Sequence, residues 1–139
     1  MLLLKTEPGD YAFADLVRAK NARWDGVSNA AALLALRSAR KGDEAWIYHT
    51  GDEKAIVGLA RLTSDPYPDP SDPSLNARGE ARLPVVDVAP LRALKVPITL
   101  ARIKGDKRFA EFALVRQPRL SVMRVPDDLG SILREWAGF

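Results

Sequence analysis

A chain of 139 residues, 47% hydrophobic and 28% charged, has the balance of one soluble domain with its own core, and no apolar run approaches membrane-spanning length. With no cysteine and a single histidine, His49, disulfides, thiolate catalysis and cysteine- or histidine-rich metal sites are excluded. The net charge of +3 is uneven: Thr99 to Arg124 carries seven basic residues, Lys107, Arg108, Arg116 and Arg119 among them, against two acidic ones, a balance that suits a polyanionic partner.

Leu2 to Lys5 reads as a first strand, stopped by Thr6-Glu7-Pro8-Gly9. It is too short for a signal-peptide core, and a cytoplasmic protein is expected, with a monomer as the default. Phe13, Leu16 and Val17 at helical spacing predict a short helix ending near Asn21. Trp24-Asp25-Gly26-Val27-Ser28-Asn29 then places a large aromatic against Asp-Gly turn chemistry and two N-cap residues, ahead of a helix from Ala30 to Arg40 stopped by Lys41-Gly42. This stretch is the expected pocket floor: glycine permits close backbone approach, the helix start offers free N–H groups, and the indole offers a flat apolar face.

Glu44 to Thr50 alternates, with Trp46 and Tyr48 on one face, and at least one of that pair is expected in the core. A hairpin returns through Ala55 to Leu62, where Gly58 marks a bulge or a close approach by another group. Ser64 to Ser74 is proline-rich loop. Leu83 to Ala89 predicts a strand closed by Pro90, and Leu91 to Pro97 a further extended arm. Thr99 caps a short helix to Lys104, and Lys107 to Phe112 suits another. Ala113 to Val115 and Arg119 to Val125 read as the last strands. Pro126-Asp127-Asp128 opens a final helix with Leu129, Ile132, Leu133 and Trp136 on one face.

Short strands interrupted by helices, without regular alternation, predict an α+β domain with a curved sheet or small barrel of about five to six strands. Lys5-Thr6-Glu7-Pro8, Trp24-Asp25-Gly26-Val27 with Asn29, Tyr48-His49, Ile56 to Ala60, Tyr67-Pro68-Asp69-Pro70, Val86-Asp87-Val88 and Leu114 to Val122 together resemble the EVE-domain family, of PUA-like fold. The resemblance spans nearly the whole chain as one domain, residues 1–139. It implies a non-catalytic PUA-like β-barrel with a pocket for a modified base, such as 5-methylcytosine or a derivative, in nucleic acid. No cofactor is implied, and DNA and RNA both stay open.

Carried over by position, the implied pocket draws on Lys5, Thr6, Trp24, Gly26, Val27, Ser28, Asn29, Tyr48, His49, Gln117, Leu120 and Ser121. Stacking would fall to Trp24 or Tyr48, edge recognition to Gln117 and backbone, and nucleic-acid backbone contact to Lys5, Arg116, Arg119, Lys107 and Arg108. Ser28 and Ala30 depart from the arginine and aromatic of the family pattern. Thr6 stands for its serine and Pro118 for its glycine.

Two other readings compete. One is a PUA-type RNA-binding module without preference for modified bases. The other is a nucleotide-acting hydrolase with His49 as general base, Asp25 orienting it, and Ser121 or Ser28 as nucleophile. No nucleophile elbow, phosphate-cradling glycine loop or HExxH signature supports it.

Overall fold

The apolar run Leu2–Leu4 has no exposed side chain, and it becomes the central strand β1 (Leu2–Thr6) of the computed structural model, which describes residues 1–139. A strand buried on both faces needs neighbours on both edges. It has them: β3 (Glu44–His49) runs parallel to it and β7 (Val122–Arg124) antiparallel. Beyond β3 lie β4 (Ala55–Leu62), β6 (Pro84–Thr99) and finally β2 (Ala22–Trp24), with the two-residue β5 (Tyr67–Pro68) also on β6. The seven strands make a curled mixed sheet, a half-barrel of the expected α+β class. No helix is long and apolar enough to cross a membrane.

Helix α1 (Phe13–Ala19) lies against this sheet because of one glycine. A Cβ on Gly58 would sit 2.4–2.6 Å from three atoms of the Phe13 ring, so only a hydrogen at that position lets the ring pack there. The close approach expected at Gly58 is this ring. Beside it, β4 carries one extra residue, Val57, between the pairs Ile47–Gly58 and Tyr48–Ile56.

Helix α2 (Ala30–Ser38) starts at Asn29, whose Oδ1 accepts from the N–H groups of Ala31 and Ala32 at 2.9 and 3.1 Å. The last helix, α5 (Asp127–Ala137), buries Leu129 and Leu133, and the following Phe139 stacks on Trp46 at 6.1 Å. Trp136 packs on Phe109 and carries the Arg102 guanidinium over its ring, 4.0 Å from the centroid. Trp46 is fully buried, as expected of at least one of the Trp46–Tyr48 pair.

Several expected elements take a different form. Pro90 does not end a strand: β6 continues through Pro90 and Pro97 to Thr99, because its pairing with β4 is irregular beside both. Leu91 is skipped between Arg92–Leu59 and Pro90–Ala60, and four residues, Leu94 to Pro97, bulge between Ala93–Gly58 and Ile98–Ile56. Ala113 to Val115, expected as a strand, belongs to helix α4 (Ala113–Arg116), in which Val115 and Arg116 both donate to the Phe112 carbonyl. Three apolar residues carry too little periodicity to separate helix from strand. Of Arg119 to Val125 only Val122–Arg124 pairs as a strand, since Gln117 to Leu120 closes a turn at Pro118. α3 (Leu100–Lys104) starts at Thr99 as expected, whereas Lys107–Phe109 forms only a single 3-10 turn. The Ser64–Ser74 loop gains its one strand where Tyr67 and Pro68 pair with Val85 and Pro84.

Candidate functional site

Because the sheet curls, β2 at one edge comes to the end of β1, from which β6, β4 and β3 separate it in strand order. A cavity of about 360 Å³ opens between them, lined by Lys5 and Thr6 from β1, Tyr11 from the following loop, Ala22, Arg23 and Trp24 from β2, and Asp25. This size is near the small end for ligand pockets, about 300–1,000 Å³.

Each wall has a local cause. Thr6 donates its hydroxyl to the Tyr11 carbonyl at 2.6 Å, and the Tyr11 N–H reaches back to the Glu7 carbonyl at 2.8 Å, so the Glu7–Tyr11 turn holds the Tyr11 ring over the cavity. That ring meets Trp24 edge to face, at 6.3 Å and 82°. Trp24 ends β2 opposite Val86 and is only 8% exposed, so it is a wall anchored in the core and not a turn residue standing free.

The polar groups are of both signs. Arg23 is held by Tyr67, whose hydroxyl lies 3.3 Å from its Nε and itself donates to Asp87 Oδ1 at 2.6 Å. The hydrogen bond to Tyr67 keeps the guanidinium above its already high ordinary value, with Asp25 among the charges that contribute. Lys5 donates to the Pro118 carbonyl at 2.9 Å and approaches the Tyr48 ring at 5.6 Å; burial lowers its pKa from the ordinary lysine value. Cations and a carboxylate at one mouth can satisfy both acceptors and donors on a ligand edge.

Of the residues singled out in the sequence, Lys5, Thr6 and Trp24 line this cavity. Tyr48 does not; it lines a neighbouring depression together with Lys5. Ser121 and Gln117 come near Lys5 through the backbone, Ser121 by accepting the Lys5 N–H at 2.9 Å and Gln117 as the neighbour of Pro118, while Leu120 is buried in the core. Gly26, Val27, Ser28 and Asn29 lie outside the cavity lining. Gly26 has φ +75° with nothing within 4 Å of a would-be Cβ, so its glycine serves the turn and not a close approach. Asn29 spends its side-chain oxygen on the α2 cap.

His49 faces elsewhere. Its Nε2 accepts from the Phe13 N–H at 3.0 Å, which requires the proton on Nδ1, and Nδ1 lies 2.7 Å from Glu53 Oε1. Both ring nitrogens are thus engaged in holding the start of α1 to the β3–β4 hairpin. Neither Asp25 nor a serine is among its hydrogen-bond partners, so the constellation expected of a hydrolase is not assembled. Arg108 is paired in a fork with Asp106, whose carboxyl it pulls down to about 2, and Arg116 lies 3.9 Å from Glu111. None of Lys107, Arg108, Arg116 and Arg119 lines the cavity. Tyr11, Ala22 and Arg23 had no place in the site expected from the sequence, whereas Asp25 belongs to the expected pocket floor. The available signal was alternation, which puts Ala22 and Trp24 on one face of β2 just before the turn at Asp25.

An α+β half-barrel of PUA-like form, with an aromatic and charged cavity at its mouth, defines a ligand-binding domain class. A family model described as the EVE domain matches residues 1–135, and the chain belongs to the EVE-domain family. Human thymocyte nuclear protein 1 is 35% identical over 92 residues, which cover 59% of this chain and 40% of that protein; the match thus spans about two-fifths of the relative's length. A Pseudomonas putida protein of known structure is 32% identical, with a TM-score of 0.87 and 98% of each chain covered. The structure of human THYN1 in complex with 5-methylcytosine-containing DNA matches with a TM-score of 0.86 at 26% identity, covering 99% of this chain and 97% of that one.

Proposed function

We propose that this domain is a non-catalytic reader of a modified base in DNA, with 5-methylcytosine or a derivative as the class of ligand and the Trp24–Tyr11 cavity as its seat. The observation that carries the reading is the cavity itself: two aromatic walls at fixed angle, with Lys5, Arg23 and Asp25 at its edge. A flat base is held by apolar walls and identified by its edge. Cytosine presents an exocyclic amino donor beside ring acceptors, which the Asp25 carboxylate and the Lys5 and Arg23 cations complement. The DNA complex of human THYN1, a member of the same family, supports the ligand class.

Calorimetric titration with matched DNA oligonucleotides, single-stranded and duplex, carrying cytosine or 5-methylcytosine at one position, tests this. The methylated oligonucleotide should bind more tightly than its unmodified twin. Equal affinity for the two would remove the modified-base reading. Tighter binding of the corresponding RNA, with no effect of methylation, would make the domain an RNA-binding module instead.

A further inference from the structure

A second depression, of about 250 Å³, lies beside the base cavity and shares Lys5 with it. Three of its nine lining residues are lysines, Lys5, Lys54 and Lys104, and none is acidic. No lysine takes part in any ion pair of the chain, in contrast with Arg108 and Arg116. The nearby carboxylates are engaged: Glu53 by His49, and Glu7, beside Gly51, by the Gly9 N–H and the Thr50 hydroxyl at 3.2 Å each. Hydrogen bonds from neutral groups leave both carboxylates charged, so three lysines stand against two acids around the depression and it keeps a net positive charge.

The backbone adds an independent observation. Lys54 has φ +46°, a conformation disfavoured for a side-chain-bearing residue, and its carbonyl is held there by the Leu100 N–H at 2.8 Å. The other lysine with positive φ, Lys20, ends a helix, where that conformation is routine. Lys54 sits in the β3–β4 hairpin, where glycine would be the cheaper residue, yet the chain carries an ammonium into the depression.

We propose that this lysine-lined depression binds the phosphodiester adjoining the base held in the first cavity, with Lys5 as the wall common to both. The inference rests on the base-reading function and adds a phosphate subsite to it. It also moves backbone recognition from Lys107, Arg108, Arg116 and Arg119 to Lys54 and Lys104. One neutralised phosphodiester carries a defined salt signature, a slope of about 0.7 on a single strand.

The test uses the whole chain, Lys54→Gly, Lys104→Gln and the double variant. Lys54→Gly suits the positive φ, so the fold is kept while the charge is lost. Probes are 5-methyl-2′-deoxycytidine, its 3′- and 5′-monophosphates, a single-stranded DNA with one 5-methylcytosine, and inorganic phosphate. Wild type should bind one monophosphate at least tenfold more tightly than the nucleoside. The double variant should lose that gain, bind the oligonucleotide about tenfold or more weakly with a salt slope shallower by about 0.7, and keep its nucleoside affinity. If wild type and double variant bind the oligonucleotide equally, the phosphate subsite is overturned and the base reading stands. Binding of inorganic phosphate with no advantage of either monophosphate over the nucleoside would assign the depression to a free anion and overturn the proposal. Wild type that binds none of the nucleoside-containing probes would overturn both.

Discussion

The Tyr11 and Trp24 rings meet edge to face at 82° with centroids 6.3 Å apart, and this contact both closes the core and forms the wall of the cavity. Trp24 therefore serves packing and binding together. Trp24→Ala should cost about 3–5 kcal/mol of stability, as for other large core aromatics, so it cannot isolate binding. Trp24→Phe keeps an aromatic and should lower base affinity about tenfold with a smaller stability loss, read by urea unfolding and calorimetry on the same preparation. Unchanged affinity in Trp24→Phe would separate the indole from recognition.

The Tyr11 hydroxyl is buried without a hydrogen-bond partner, although its ring lines the cavity. An unmet buried hydroxyl costs about 1–3 kcal/mol, so Tyr11→Phe should raise stability by about 1 kcal/mol and leave base affinity within twofold. A fall in affinity with no gain in stability would show that a ligand reaches the hydroxyl.

Gly58→Ala forces a methyl into the Phe13 ring. Overpacking of this kind costs about 1–3 kcal/mol, and Phe13→Leu in the same chain should recover part of it, because the leucine can turn aside. Denaturant midpoints of the two single variants and the double variant check this. Additive losses would mean that the glycine is needed for something other than Phe13.

His49→Ala leaves the Phe13 N–H without its acceptor and should cost about 1–3 kcal/mol, whereas His49→Gln, which retains an acceptor, should cost less. Base affinity should change less than twofold in both. Loss of affinity at unchanged stability would return His49 to the base pocket, as the family resemblance implies.

Much of the frame was legible because it is local. Asn29 and Thr99 announced helix starts, Gly58 announced a close approach, and the apolar runs of β1, β3 and β4 fell where the pattern put them. What escaped depends on distant partners. Pro90 and Pro97 end strands by rule, but bulges opposite β4 let β6 run through both. Ala113 to Val115 is too short for periodicity to decide. Of the cavity lining, Trp24, Lys5 and Thr6 were legible as an aromatic and two strand-end polar residues. Arg23 was not, since its position is set by Tyr67, 44 residues away, and through it by Asp87. The sequence alone does not place His49, because a histidine at a strand end looks the same whether its ring meets a ligand or a helix start.

Lys5 offers a pH readout. Burial lowers its pKa from 10.5, so the unfolded chain holds that proton more firmly than the folded one, and stability should rise with pH from the folded pKa up to the unfolded value. A phosphodiester bound beside Lys5 favours the charged form and should raise the pKa again. Nuclear magnetic resonance of the lysine side chain, with and without the methylated oligonucleotide, should show the upward move. No change would place the bound strand away from Lys5.

The most direct measurement follows the three indole N–H resonances, Trp24, Trp46 and Trp136, as 5-methyl-2′-deoxycytidine is added to the labelled protein. The Trp24 signal should shift in a saturable way. Trp46, fully buried beneath Phe139, and Trp136, packed on Phe109, should stay in place. Saturable binding with Trp24 unmoved and shifts confined to other residues would contradict the assignment of the Trp24–Tyr11 cavity as the base site.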